Sequence, residues 1–265
     1  MMNNFINVKN NSICVGMPLY NEGQSIATIV EEFHKFLIEN NLNIDLLIID
    51  DFSTDNSYEI LEQLQTQYKF LKINRNSKNL KHGPTIFNVY NKISELGYEF
   101  IIGCDADGQF DFKDMINLIS NYQSKSLIIG NRSNRVEGGI RSFISKTLKL
   151  FLRVYFQTNI KDANSPLRLF STQDFASFKK AFLNQNLDFK VTNVLLSIYF
   201  SKFKNNVIEV PIKHLERLSG DNGTMWENKY FKNISIYLIK FAIESLLEIR
   251  KFKKVINNYY GNNQQ

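Results

Sequence analysis

The chain is poor in cysteine, with two among 265 residues, Cys14 and Cys104, each inside an apolar run. Two such residues cannot form a disulfide framework, and the sequence reads as intracellular. A secretion leader is not expected either: residues 1–11 are polar and Asn-rich, without the basic and then apolar regions of a signal peptide. Long hydrophobic runs are also lacking. A membrane span needs roughly 18 uninterrupted apolar residues, and the best stretch, 234–249, is broken by Lys240, Glu244 and Glu248. No Gly-x-Gly-x-x-Gly and no Gly-x-x-x-x-Gly-Lys-Ser/Thr occurs, so neither dinucleotide binding nor a P-loop is supported. A bound diphosphate must then find positive charge elsewhere, and a divalent metal held by carboxylates is the simplest supply.

What is present is a composition 43% hydrophobic and 13% aromatic, enough to bury a sizeable core and to exclude a disordered or fibrous chain. At about 100–200 residues per domain the length fits one large domain or two small ones. Net charge is +6, from 32 Lys+Arg and 26 Asp+Glu. The charge is unevenly spread. Residues 1–110 hold 8 Lys+Arg against 14 Asp+Glu, a balance of −6, whereas residues 111–265 hold 24 against 12, a balance of +12. The two halves are expected to meet different partners.

Short apolar runs at 12–17, 45–49, 70–73 and 100–104 read as buried strands, and 24–39 and 84–96 carry helical periodicity. Strands and helices alternating at this spacing predict an α/β fold with a mostly parallel sheet covered on both faces. In such sheets ligands sit beyond the carboxyl ends of the strands. Three of those ends carry acidic residues: Pro18-Leu19-Tyr20-Asn21-Glu22, Asp50-Asp51-Phe52-Ser53-Thr54-Asp55 and Asp105-Ala106-Asp107-Gly108-Gln109.

Asp105 and Asp107 stand two apart at a strand end, so extended geometry sends both side chains to one face. Two hard oxygen ligands there suit Mg²⁺ or Mn²⁺, which keep positions open for phosphates; Gln109 continues the alternation with a neutral oxygen. Asp-x-Asp is by itself also a common solvated turn or helix cap, and Asp50-Asp51 also reads as an acidic pocket or as a lead-in to a cap at Ser53. The three clusters in this order and spacing resemble the inverting family 2 glycosyltransferases of GT-A fold, and within them the dolichol-phosphate mannosyltransferase and polyprenyl-phosphate sugar transferase branch. The similarity runs over about residues 13–220. It implies a Rossmann-like catalytic domain over 1–220, followed at 221–265 by a loop and amphipathic helical segment.

The resemblance implies that Pro18, Tyr20, Glu22, Asp50 and Asp51 hold the base and ribose of a nucleotide-diphosphate sugar. It likewise implies that Asp105, Ala106, Asp107 and Gln109 carry the metal and diphosphate. Arg217, in Arg217-Leu218-Ser219-Gly220, matches an arginine that approaches the diphosphate; Asn222 and Gly223 replace residues common in relatives, with Lys229 or the metal expected to compensate, and the 220–223 loop is expected to order over donor. Asn79-Leu80-Lys81-His82-Gly83-Pro84 resembles the family's Asn-x-Gly loop, with Lys81 where the family usually has glycine. His82 could be read as a base, since histidine titrates near neutrality, but a lone loop histidine is more often structural or solvated, and it is given no part in the mechanism. Asp162-Ala163-Asn164-Ser165-Pro166-Leu167-Arg168 resembles the family's Asp-x-x-Ser-Gly-Phe-Arg, with Arg168 open to either a structural or a ligand role.

Residues 138–161 contain no acid, while Arg141, Lys146, Lys149, Arg153 and Lys161 interleave with Phe143, Leu148, Phe151 and Tyr155. This pattern suits an anionic bilayer surface, or a surface helix packed on its own core. Arg132, Arg141 and Ser145 align with positions that bind lipid phosphate in the resembled branch, and arginine's planar fork suits phosphate. Near the C-terminus Lys240, Glu244, Glu248 and Lys251 share one stripe, beside a broad apolar face. The basic cluster Arg250-Lys251-Phe252-Lys253-Lys254 suits phospholipid heads. Relatives often continue into membrane spans, whereas no span is read in this sequence, so contact is expected to be peripheral, at the cytoplasmic face, or through a membrane-protein partner or homo-oligomer.

The resemblance thus implies a metal-dependent hexosyltransferase moving sugar to a polyprenyl phosphate, with Asp105, Asp107 and Arg217 catalytic. Two rivals stay open: transfer to a sugar hydroxyl with Asp162 as base, and a non-catalytic nucleotide-sugar binder. Nucleic acid is not an expected partner, because the cations sit with aliphatics on helices and no recognition module is visible.

Overall fold

The computed structural model describes residues 12–132, 139–182, 185, 187–218 and 231–262, without the side chains of 139–145, 231–239, 242 and 257–262. Among the described residues seven strands form one sheet: β1 (Ile13–Leu19), β2 (Asp45–Asp50), β3 (Leu71–Arg75), β4 (Phe100–Gly103), β5 (Leu127–Asn131), β6 (Arg168–Ser171) and β7 (Val207–Pro211). Their order is β3-β2-β1-β4-β6-β5-β7. All pairings are parallel except those of β6, which runs antiparallel to both β4 and β5.

Apolar residues alternate between two cores, one on each sheet face. Ile13, Val15, Met17 and Leu19 of β1 join Leu46 and Ile48 of β2 on one face; Cys14, Leu47, Ile49 and Ile101 point into the other. Strands buried on both faces read as unbroken apolar runs, which is why β1, β2 and β4 stand out in the sequence. Their ends are less obvious. Strand β1 continues to Leu19 because Pro18 and Leu19 stay in register with Ile49 and Asp50. Strand β3 takes in polar Asn74 and Arg75, which pair with the same two residues.

Helix α1 (Ile26–Glu39) covers the first core, and α2 (Ser57–Gln67) lies beside it. On the opposite face α3 (His82–Glu95) packs under β1 and β4. Two glycines allow this closeness: a Cβ at Gly16 would collide with Val89 and Ile93, and one at Gly103 with the Tyr90 hydroxyl. The close fit brings the N-terminus of α3 to the carboxyl edge of the sheet, beside β4. Helix α4 (Asp114–Ser120) precedes β5; α5 (Gly139–Phe156), α6 (Thr172–Phe182) and α7 (Thr192–Tyr199), with the π-helical turn Phe200–Lys204 after it, build the second face.

Helix α8 (Phe231–Asn262) closes that second core with Ile249, Phe252 and Ile256. Its charged stripe turns inward in part: Glu248 is buried, and Glu244 is hydrogen-bonded by Lys190 at 2.8 Å. Phe241, Ile243, Leu246 and Leu247 are exposed instead. A helix is oriented by what it packs against, and here the body supplies Lys190 as a counter-ion for the acidic stripe. Both cysteines are buried and free. No helix among the described residues is long and apolar enough to cross a membrane.

Candidate functional site

The loops after β1 and β2 are fastened to each other by short polar residues. The Asn21 N–H donates to Ser53 Oγ at 2.9 Å, and the Thr54 N–H donates to Asn21 Oδ1 at 2.9 Å. The Glu22 N–H donates to Ser57 Oγ at 2.9 Å and the Gly23 N–H to Asp55 Oδ2 at 3.1 Å. Ser, Asn and Asp side chains are suited to capturing backbone donors in turns. The spaced polar positions of the first two motifs are thereby accounted for: they make one rigid edge out of two loops. Tyr20 and Phe52 remain exposed on it, while Pro18 lies half-buried in β1.

The acidic pair of the second motif turns inward. Asp50 is fully buried, accepts from the Ser53 N–H at 3.2 Å and faces Arg75 Nε at 3.0 Å; burial raises its carboxyl pKa against those two stabilising contacts. Asp51 accepts from Asn76 Nδ2 and the Leu80 N–H, both at 2.8 Å, and from the Lys81 N–H at 2.9 Å. In this structure Asp50 holds the end of β2 and Asp51 holds the 76–81 loop, and the carboxylates expected to meet base and ribose are engaged with the protein. Lys81 adopts φ 77° and ψ 167°, a region that suits glycine, at the position where the motif's glycine is replaced.

Strand β4 stops at Gly103, so Asp105 and Asp107 are not on a strand and do not share a face by alternation. The loop that follows, with Gly108 at φ 72°, brings them together instead. Asp107 accepts from the Gln109 N–H at 3.1 Å. Its pKa is pushed up to about 6, first by burial and then by the Asp105 charge, with Arg217 acting the other way. Asp105 Oδ1 is buried without a hydrogen-bond partner, and exposed His82, the first residue of α3, places Nε2 3.7 Å away from it. Ala106 between the two carboxylates is buried.

A strap over 215–218 runs along this loop. The Leu215 N–H donates to the Gln109 carbonyl at 3.0 Å and the Leu218 N–H to the Asp107 carbonyl at 3.4 Å. Leu218 covers Gly108 so closely that a Cβ there would collide with it. The strap delivers Arg217 to Glu22, whose carboxylate accepts from Nη2 and from Ser25 Oγ. Three residues that the motifs assign to the donor, Glu22, Asp107 and Arg217, are therefore brought together from distant parts of the chain.

The acceptor residues are described in part. Arg132 donates Nε and Nη2 to the two oxygens of Asp162, at 2.8 and 3.0 Å. The N–H groups of Lys161 and Asp162 in turn donate to Glu209 Oε1, at 2.8 and 3.0 Å. The residue read as a phosphate ligand and the residue read as a rival base are thus one ion pair. Glu209, which supports them, lies in β7 and carried no motif. Arg141 and Ser145 are on α5, but their side chains lie outside the described residues, as do 219–230 with Asn222, Gly223 and Lys229. Arg168 is fully buried and structural: it donates to the carbonyls of Ala163, Ser165 and Asn193 and to Ser197 Oγ, tying the 162–166 loop to α7.

The donor set fits a hard divalent cation. Two neighbouring carboxylates, with the Asp105 charge raising the pKa of Asp107 and one Asp105 oxygen buried without a hydrogen-bond partner, call for positive charge, and oxygen ligands match Mg²⁺ or Mn²⁺. Among the described residues no group of three or more His, Cys, Asp or Glu side chains is arranged to hold a metal. The protein offers a partial ligand set, the usual situation for Mg²⁺ sites completed by water and phosphate oxygens.

A mostly parallel sheet with a carboxylate pair beyond a central strand defines this chain as an α/β protein of GT-A fold. Solved structures share it: mannosyl-3-phosphoglycerate synthase from Rubrobacter xylanophilus, at TM-score 0.62 and 10% identity over 89% of this chain and 72% of that one; and glucosyl-3-phosphoglycerate synthase from Mycobacterium tuberculosis with Mn²⁺, UDP and glucosyl-3-phosphoglycerate, at 0.56 and 11% over 93% and 80%. The mannosyltransferase PcManGT from Pyrobaculum calidifontis with GDP-Man and Mn²⁺ matches at 0.51 and 12%, over 80% and 58%.

The chain belongs to glycosyl transferase family 2, whose family model matches residues 14–187. Curated relatives include the undecaprenyl-phosphate 4-deoxy-4-formamido-L-arabinose transferase of Proteus mirabilis (strain HI4320), 23% identical over 219 residues, 81% of this chain and 63% of that protein. The undecaprenyl-phosphate mannosyltransferase of Micrococcus luteus is 23% identical over 215 residues, 78% of this chain and 84% of that protein. The chain spans about three fifths of the length of the arabinose-transferase relatives.

Proposed function

We propose that this protein transfers a sugar from a nucleotide-diphosphate sugar to a polyprenyl phosphate, with inversion at the anomeric carbon and with Mg²⁺ or Mn²⁺. The observation that carries the proposal is the juxtaposition of Asp105 and Asp107, with an Asp105 oxygen buried and without a hydrogen-bond partner, beside Arg217 and Glu22 at the carboxyl edge of the sheet. The relatives' names support a polyprenyl-phosphate acceptor, and the complexes with GDP-Man or UDP and Mn²⁺ support a nucleotide-sugar donor.

On this reading Tyr20 and Glu22 line the nucleoside side, and Asp105 and Asp107 with Gln109 hold the cation. A bound cation would neutralise charge on the departing diphosphate. Arg217 exchanges Glu22 for a diphosphate oxygen, a gain because its fork then serves a doubly anionic group. An acceptor phosphate oxygen attacks the anomeric carbon from the side opposite the diphosphate. The new C–O bond forms as the old one breaks, and the electron pair leaves with the nucleoside diphosphate. A phosphate acceptor is already anionic and needs no base, which agrees with Asp162 being occupied by Arg132. Held near the acceptor, Arg132 contributes by positioning.

Peripheral attachment at the cytoplasmic face of a membrane completes the proposal. Helices α5 and α8 adjoin, with Lys253 Nζ donating to the Tyr155 carbonyl at 2.7 Å. Both helices leave apolar residues exposed, among them Leu150, Val154, Leu246 and Leu247, next to exposed lysines and arginines. Such mixed faces bind anionic bilayers.

A panel of UDP- and GDP-sugars, incubated with a polyprenyl phosphate and Mg²⁺ or Mn²⁺, tests the reaction. The expected product is a lipid-linked sugar phosphate detected by mass, formed with release of nucleoside diphosphate and absent in Asp107→Ala. Transfer to a glycan hydroxyl alone, or activity undiminished by a chelator, overturns it.

A further inference from the structure

We infer that Phe52 is a nucleobase platform: the planar ring of the donor's base lies against its phenyl ring, adding an aromatic wall from β2 to the one that Tyr20 supplies from β1. The inference rests on the donor site proposed above. Phe52 occupies φ 62°, a left-handed conformation that is an outlier for a bulky side chain. It also leaves 46% of its surface in solvent. The residue thus bears two costs, backbone strain and an exposed ring. Strain of this kind persists where neighbours over-determine it and concentrates at functional sites.

The neighbours here do over-determine it. On one side the Asp51 N–H donates to the Leu19 carbonyl at 2.7 Å; on the other the Ser53 N–H is held by the Asp50 carboxylate at 3.2 Å. Ser53 Oγ is held in turn by the Asn21 N–H. Between these pins Phe52 keeps φ 62° and leaves its ring partly in solvent. Arg75 then supports the ring, with its guanidinium 5.2 Å from the centroid. Arg75 is itself fixed by Asp50 at 3.0 Å, by the Ser53 carbonyl at 2.9 Å and by the Tyr58 ring at 4.6 Å.

Tyr20, with 45% of its surface exposed, follows Leu19, which lies opposite Asp50 in the β1–β2 register. Two exposed aromatics therefore stand at adjacent strand ends, on loops bolted together, at the edge where a nucleotide is proposed to sit. Aromatic rings bind any base through its π-face, so this wall accounts for affinity toward the base and leaves the choice between uracil and guanine to other contacts.

Titration calorimetry on the full chain with Mn²⁺ tests this, using UDP, GDP and inorganic pyrophosphate as probes against wild type, Phe52→Gly and Phe52→Tyr. Phe52→Gly is expected to melt no lower than wild type, since glycine accepts the left-handed conformation. It is expected to bind the tighter of UDP and GDP on the order of 10- to 100-fold more weakly, the range for losing one stacking partner of a base. Pyrophosphate binding stays as in wild type, and Phe52→Tyr retains nucleotide binding. Unchanged nucleotide affinity in Phe52→Gly overturns the inference, as does a parallel loss of pyrophosphate, which would mark a collapsed loop. If wild type binds pyrophosphate but neither nucleotide, the donor reading itself fails and Phe52 falls with it.

Discussion

Asp162→Asn separates a positioning role for this carboxylate from a catalytic one. Asp162 receives two charge-assisted hydrogen bonds from Arg132, at 2.8 and 3.0 Å, with 11% of the Arg132 side chain and 17% of the Asp162 side chain exposed. Hydrogen bonds to charged groups contribute about 1.5–3 kcal/mol each. Asparagine keeps one acceptor and loses the charge, and residual solvent access reduces the penalty, so the cost is placed at about 1–3 kcal/mol. For a chain of this size that lowers Tm by roughly 2–6 °C. The kinetic consequence is expected to be small in kcat, less than about tenfold, with the main change in KM for the polyprenyl phosphate as Arg132 loses its partner. A general base contributes about 10²- to 10⁴-fold. Steady-state kinetics with varied acceptor, run beside a thermal melt, reads both quantities. A kcat loss of about 100-fold or more with Tm near wild type would refute the reasoning and make Asp162 the base for a hydroxyl acceptor.

Lys81→Gly should stabilise the fold, because φ 77° with ψ 167° costs a side chain roughly 1–3 kcal/mol against about 0.4–1 kcal/mol for glycine's freedom in the unfolded chain. Urea denaturation should show a gain of about 0.5–2 kcal/mol, and Lys81→Ala no gain. Gly108→Ala, at φ 72° and under Leu218, should push the 215–218 strap away and separate Arg217 from Glu22; kcat/KM for the nucleotide sugar is expected to fall by about tenfold or more, and an unaffected value would count against the strap. Leu246 and Leu247 are exposed, so changing both to Glu should leave Tm within about 2 °C, the usual range for surface changes. The same change should weaken cosedimentation with phosphatidylglycerol vesicles by about tenfold or more.

The parallel core was legible because strands buried on both faces carry consecutive apolar residues, as in Leu46 to Ile49, and because α1 and α3 keep a clear helical period. The motif residues at the carboxyl ends of β1, β2 and β4 were legible for a related reason: polar residues directly after an apolar strand have left the core and stand at the sheet edge. Phe52 carried no such mark, since a phenylalanine beside a strand reads as core. Its φ and the hydrogen bonds pinning it appear only in the folded chain.

Local sequence therefore determined the elements, the sheet edge and the chemical kinds of residue placed on it, since period and composition act over a few residues. Partnership was decided by tertiary structure alone. Arg132 finds Asp162 across 30 residues and Arg217 finds Glu22 across 195. Asp51, read from the sequence as a donor contact, accepts hydrogen bonds from the 76–81 loop, and Glu244 and Glu248 turn from a surface stripe toward the body. A charge takes whichever counter-charge or N–H the packing of helices and loops brings within about 3 Å, and no spacing along the chain encodes that choice.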